Sequence, residues 1–194
     1  MKIIVFENNY GTAGKRDRQS WFLLADSALS NRGKPFFMPD DVGLVTASAS
    51  VAVRISRLGK SISPRFARRY YSQVAPVIHF QFPELKERCV REGLSFSEAV
   101  SFDKAMIHGI FMDFPENPDC LDMNLSLNGE RVEEWRHEDM SKNIDVLISK
   151  FSEMNTMKMG DLIVPALSKG VEVKPGDRLM LENELFGSLT VKVK

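Results

Sequence analysis

A strand-rich, mixed α+β fold is what this 194-residue sequence predicts, and three observations in its C-terminal half carry that reading. Asn128-Gly129 lies between alternating segments, with Met123, Leu125 and Leu127 before it and Arg131 and Val132 after it, a strong short-range signal for a two-residue hairpin. From Met140 to Met154, the residues Met140, Ile144, Leu147, Ile148, Phe151 and Met154 recur at steps of three and four, which puts them on one face of a helix with Asp139 as a candidate cap. Strands then resume. Gly160-Asp161 opens a short apolar run ending at Pro165, and turn chemistry at Pro175-Gly176-Asp177 feeds Leu179 to Leu181 and finally Leu189 to Val193.

The N-terminal half supplies further elements in order. Lys2 to Phe6 is an apolar run of the kind that makes a buried strand. Gly11-Thr12-Ala13-Gly14-Lys15-Arg16 invites comparison with a phosphate-binding loop, but its glycines are too close together and Arg16 stands where a hydroxyl should follow the lysine, so it reads as an ordinary loop. Trp21, Leu24, Ala25, Ala28 and Leu29 fit a short amphipathic helix over Asp17 to Leu29, stopping near Gly33. Lys34 to Met38 reads as a short strand, and Ser50 to Leu58 alternates, with Val51, Val53 and Ile55 on one face. Ser63 to Gln73 reads as a helix with Ser63 as cap and Pro64 at its first position, Val74 to Phe82 as a strand, and Pro83 to Arg91 as a helix stopped at Gly93.

The length fits a single domain, residues 1–194. Twenty-six basic and 26 acidic residues cancel, so no global field draws in nucleic acid or an anionic membrane. Arg54, Arg57, Lys60, Arg65, Arg68 and Arg69 cluster locally and read as a solvated face, since aromatics are not interleaved as bases would need. Neither a charged-then-apolar leader nor a run of membrane length is present, which predicts a cytoplasmic protein. Cys89 and Cys120 have no close-spaced partner, and are expected to be reduced, structural thiols.

Ser101-Phe102-Asp103, Asn128-Gly129-Glu130, the helix after it, Gly160-Asp161-Leu162-Ile163, Lys169-Gly170-Val171, Pro175-Gly176-Asp177 and the last Leu-rich strand follow one another in an order that resembles the fumarylacetoacetate hydrolase family. The likeness is to its acylpyruvate hydrolase and 2-hydroxyhepta-2,4-diene-1,7-dioate isomerase types, and Lys2 to Tyr10 resembles the family's opening strand and Asn-Tyr step. The resemblance implies a β-sandwich roll with a few peripheral helices, residues 1–40 giving the opening strand and helix and residues 41–194 the roll.

Active members of that family, as the resemblance implies, hold Mg²⁺ or Mn²⁺ with a Glu-x-Glu pair and an Asp on adjacent strands, and the cation polarises a 2-oxo acid and its enolate. Counting back from Gly59-Lys60 places the Glu-x-Glu positions on Val51 and Val53, and anchoring on Val74 and Cys89 places the aspartate on Gln81, with Glu84 the nearest carboxylate. The family's acid-base His and Glu fall on Ala13 and Arg16, its lysine on Val100, and its Thr-Gly-Thr-Pro loop on Pro165-Ala166-Leu167-Ser168. These replacements imply a non-catalytic homologue acting by binding or as a partner subunit, with no cofactor and a former site closed into core; an open apolar cleft is the alternative. The competing reading is a hydrolase, decarboxylase or isomerase of 2-oxo or 2-hydroxydienoic acids with a rearranged site, and Mg²⁺ or Mn²⁺ belongs only to it. His79, Glu133 and His137 are its candidate acid-base residues. The resemblance implies a homodimer or pairing with an active relative.

Overall fold

The computed structural model describes residues 1–11 and 19–194. Strand β1 (Ile3–Phe6) is fully buried, and β2 (Trp21–Leu24) pairs antiparallel with it, burying Phe22 and Leu24. A 3-10 turn at Asp26–Ala28 leads to β3 (Leu29–Asn31). The helix expected over Asp17 to Leu29 is therefore not formed where the chain is described. Trp21 and Leu24 satisfy a spacing of three, but Phe22 and Leu24 satisfy the period of two that β1 can pair with, and the ladder wins. Ala13, Arg16 and the rest of the glycine-containing loop beyond Gly11 lie outside the described residues.

The longest elements are β4 (Val45–Ile55) and β5 (Tyr71–Gln81), paired antiparallel along their length. β4 starts well before the expected Ser50, because Val45 to Ala47 pair with β11 while Thr46 onward pairs with β5. Between the two strands, Ser63 takes the cap position and Pro64 opens α1 (Pro64–Ala67), as the sequence implies. The helix ends early, in a 3-10 turn at Arg68–Tyr70, since Tyr71 to Gln73 is taken into β5.

The remaining elements are α2 (Pro83–Arg91), α3 (Ser97–Val100), β6 (Met106–His108), β7 (Met112–Asp113), β8 (Met123–Leu127), β9 (Glu130–Trp135), α4 (Ile144–Met154), β10 (Leu162–Val164), β11 (Val171–Val173), β12 (Arg178–Asn183) and β13 (Gly187–Lys192). Asn128 and Gly129 have φ of 54° and 91°, the left-handed pair that a type I′ hairpin needs between β8 and β9. α4 begins at Ile144 rather than Met140, because the Asn143 side chain accepts from Val146 N–H at 3.0 Å and caps it. Asp139 instead closes a 3-10 turn at His137–Asp139.

Two sheets result. A mixed sheet runs β2-β1-β10-β4-β5-β6-β3, with β11 also on β4 and β7 also on β5, and β1/β10 and β3/β6 are its parallel pairs. A second, antiparallel sheet runs β13-β12-β8-β9. A strand-rich, mixed α+β fold is thus present, with one contiguous buried cluster reaching from Ile3 to Val193. The expected strand at Lys34 to Met38 is reduced to a bridge, in which Phe36 pairs with Val193 and stacks on Phe80 at 3.8 Å. Among the described residues no helix is long and apolar enough to cross a membrane.

Asp161 ties the opening strand to this frame. It accepts from the Lys2 amide at 2.8 Å and the Lys158 amide at 2.9 Å and meets the Lys2 ammonium at 2.7 Å. Burial pushes its carboxyl up, but the hydrogen bonds from Lys2 and Lys158 and the Lys2 charge outweigh that and hold it below the ordinary range. A carboxylate with a lowered folded pKa contributes stability above its unfolded value near 4 and loses it as pH falls further. Asp161→Asn is expected to cost about 1–3 kcal/mol at pH 7 and to flatten the acid limb of the stability profile. Urea unfolding midpoints unchanged from the parent would contradict this role.

Candidate functional site

The β4–β5 ladder decides which side chains can meet. Successive side chains alternate between faces, and directly paired residues share a face. Thr46 pairs with Gln81, Ser48 with His79 and Ser50 with Val77, so these six lie on one face. Val51 pairs with Pro76 and Val53 with Val74, which sets both valines on the opposite face. Val51, Val53 and Gln81 therefore cannot form one cluster. The chain bulges between Arg54 and Ile55 and continues through an irregular segment before α1, which a count from Gly59-Lys60 does not see. Both valines are simply core, with no exposed surface.

The Ser48–His79 face is polar and closely packed. His79 is fully buried; its Nε2–H donates to the Val100 carbonyl at 2.9 Å, which leaves Nδ1 to accept from the Gln81 amide at 3.3 Å. Val100, the other expected apolar replacement, is buried beside it. The Ser50 hydroxyl and the Trp135 indole N–H (3.1 Å) both donate to the Ala166 carbonyl. Ser168 Oγ accepts from the Ala49 amide at 2.8 Å and donates to Glu133 Oε2 at 2.6 Å, while the Gly170 amide donates to Glu133 Oε1 at 3.2 Å. Gly170 has φ of 88° and a side chain there would meet Ser48 Oγ at 2.6 Å, so its segment lies directly against β4.

Trp135 fills the space between these parts. It is the largest fully buried side chain, stacked on Tyr10 with ring centroids 6.1 Å apart. At the far edge Lys86 pairs with Glu7, its ammonium 5.3 Å from the Phe96 ring centroid and 5.8 Å from that of Phe22, and burial pushes the Lys86 pKa down. Phe22 lies 6.0 Å from the His79 ring.

His79, Glu133 and His137 do not converge through any described contact. His137 sits between Asp119 (3.3 Å) and Asp122 (3.2 Å), held by its own turn. His108 is half-buried, with Nδ1 at 2.7 Å from the Gly109 carbonyl. Glu84 is exposed in the first turn of α2 and accepts weakly from the Leu44 amide at 3.5 Å. Cys89 is buried and Cys120 exposed, both as free thiols.

A hard divalent cation needs anionic oxygens, and this face offers hydroxyls, an amide, an imidazole engaged at both nitrogens, and one carboxylate already holding Ser168 and Gly170. That donor set does not fit Mg²⁺ or Mn²⁺. Among the described residues no group of three or more His, Cys, Asp or Glu could hold a metal ion. Ser48, Ser50 and Trp135 belong to no motif of the sequence. Their signals were the alternation Thr46-Ala47-Ser48-Ala49-Ser50, which marks a strand with one hydroxyl-bearing face, and an indole placed after the charged Glu133-Glu134 pair.

Burial pushes the His79 pKa down to about 4, against the smaller upward effect of its bond to Val100. The folded state keeps this ring neutral while the unfolded one protonates near 6.5. Its contribution is complete above that pH and is lost as pH falls toward 4, about 3 kcal/mol over the window. His79→Gln is expected to flatten the stability profile between pH 6.5 and 4 in urea unfolding; an unchanged slope would show that His79 is not held neutral.

Known proteins share this architecture. The chain is 27% identical over 176 residues to the mitochondrial oxaloacetate tautomerase FAHD1 of Mus musculus, covering 89% of this chain and 80% of that one. It is 24% identical to the oxaloacetate tautomerase YcgM of Escherichia coli, with the same coverage of each. The structure of fumarylpyruvate hydrolase from Pseudomonas aeruginosa, in complex with Mn²⁺ and pyruvate, superposes with a TM-score of 0.90 at 17% identity over 100% of this chain and 89% of that one. That of 2-hydroxyhepta-2,4-diene-1,7-dioate isomerase from Mycobacterium marinum gives 0.87 at 20% identity, over 99% of this chain and 73% of that one. The family model described as fumarylacetoacetate (FAA) hydrolase C-terminal matches residues 7–194, and the chain belongs to that family.

Proposed function

We propose that this chain keeps the family scaffold but acts through binding, as a partner subunit, rather than through divalent-cation chemistry on a 2-oxo acid. The observation that supports this most directly is the filled Ser48–His79 face, where Trp135, Ser50, Ser168, Glu133, His79 and Gln81 satisfy one another and the adjoining backbone. Buried polar groups with internal partners need neither metal nor substrate to offset their desolvation. Self-association, or pairing with an active relative, is the form of partnership that the family resemblance suggests.

In this proposal the family's Glu-x-Glu and Asp positions correspond to Ser48, Ser50 and His79. Ligands on adjacent strands must share a face, and Ser48 pairs directly with His79 while Ser50 lies one alternation along. The combined variant Ser48→Glu, Ser50→Glu, His79→Asp is then expected to be less stable than the parent without metal and to regain melting temperature when Mn²⁺ is added. At about 2–4 °C per kcal/mol, micromolar binding in millimolar Mn²⁺ gives a rise on the order of 10 °C. Equal insensitivity of the parent and a folded variant to Mn²⁺ would contradict these positions.

A second reading is enzymatic: a tautomerase, isomerase, decarboxylase or hydrolase of 2-oxo or 2-hydroxydienoic acids. The catalytic names of the relatives favour it, and Glu133 is the carboxylate best placed to move a proton on this face. It requires keto–enol exchange of oxaloacetate, or hydrolysis of an acylpyruvate, to fall by at least about a hundredfold on Glu133→Gln. Parent activity at the buffer rate in both assays favours the binding reading, whereas a rate that depends on Glu133 overturns it.

A further inference from the structure

The Arg57–Arg69 segment and the end of α4 form one continuous surface. Gly59 and Met157 exchange backbone hydrogen bonds at 3.0 and 2.8 Å, and the Ser61 amide donates to the Ser152 carbonyl at 2.8 Å. On this surface Leu58, Met154 and Met159 are 69%, 85% and 75% exposed, and Phe66 projects from α1. Around these apolar tips stand exposed Arg57, Lys60, Arg65, Arg69 and Lys158, against the single carboxylate Glu153 in the same two segments, while Arg68 turns away to the Tyr71 carbonyl and the Phe114 ring. Among the described residues none of these five cations is in an ion pair.

In sequence the basic cluster is expected to be a solvated face, with Phe66 the single aromatic inside it. In the fold that ring is engaged: Arg65 and Arg69 hold their guanidinium groups 4.5 and 5.1 Å from the Phe66 ring centroid. A solvated face has no use for four large apolar side chains at its centre. A two-fold contact with a second copy would set like charges against one another across the patch. The complementary partner is negatively charged and takes up apolar tips, which is the chemistry of an anionic lipid surface.

We infer that this face is a peripheral docking surface for an anionic bilayer, with Leu58, Phe66, Met154 and Met159 entering the headgroup boundary and the surrounding arginines and lysines pairing with lipid charge. Zero net charge does not oppose this, because beyond a Debye length of roughly 8 Å the distant charges are screened and the local field decides.

Vesicle flotation of the whole chain tests it. Protein is expected to float with phosphatidylcholine vesicles carrying about a third phosphatidylserine, to stay behind with pure phosphatidylcholine, and to be released by salt near 1 M. Arg65→Glu with Arg69→Glu, and separately Leu58→Asp with Met154→Asp, should each weaken binding by at least about tenfold. All four positions are exposed, and unchanged melting curves would show that the variants remain folded. No flotation with phosphatidylserine vesicles overturns the inference, as does equal binding by the folded variants. Salt-sensitive binding to polyglutamate without vesicle binding also overturns it, in favour of an acidic protein partner.

Discussion

The register of β4 against β5 is the constraint on which the rest of this structure depends. The two strands pair from Thr46 with Gln81 to Val53 with Val74 without a slip, and that pairing sorts every side chain onto the core face or the Ser48–His79 face. A shift of one residue would exchange the two buried faces, setting Ser48 and Ser50 where Val51 and Val53 now pack and the valines among the polar partners. β10 and β11 dock on β4, and β6 and β7 on β5, so the mixed sheet inherits its geometry from this pair.

That register also explains how polar residues persist at the centre. Ser50, His79 and Ser168 are buried, and each costs several kcal/mol if left unpaired. They are kept by partners that the neighbouring segments bring: the Ala166 carbonyl, the Val100 carbonyl, and Glu133 on β9. Trp135 reaches over from the same strand as Glu133 and shares the Ala166 carbonyl with Ser50, joining the second sheet to the first. A network satisfied in this way rigidifies the junction of the sheets and leaves few groups free for a ligand. The relatives show that this scaffold supports chemistry on small oxo acids.

Local chemistry made much of the fold legible. The Asn128-Gly129 hairpin, the turn at Pro175-Gly176-Asp177 and the helix starting at Pro83 each rest on interactions within a few residues and appear where the sequence places them; of the expected apolar stripe Ile144, Leu147, Ile148 and Phe151 are buried on α4, while Met140 precedes the helix and Met154 is exposed. Failures came where a distant partner decides. Trp21 to Leu24 is a strand because β1 is beside it, and Tyr71 to Gln73 leaves the helix because β4 is beside it. Residue counting cannot see a bulge, and only cross-strand pairing reveals that Val51 and Gln81 face apart. The indole of Trp135 after the charged Glu133-Glu134 pair marks a side chain that must be covered, but not which carbonyl it will reach, because Ala166 is 31 residues away.

The most direct measurement is titration calorimetry of the unmodified chain with Mn²⁺, on protein stripped of metal beforehand. No heat beyond dilution would agree with a face whose polar groups already satisfy one another. One Mn²⁺ bound per chain with micromolar affinity would contradict it, and would require carboxylates other than those surrounding Ser48 and His79 to form the metal site.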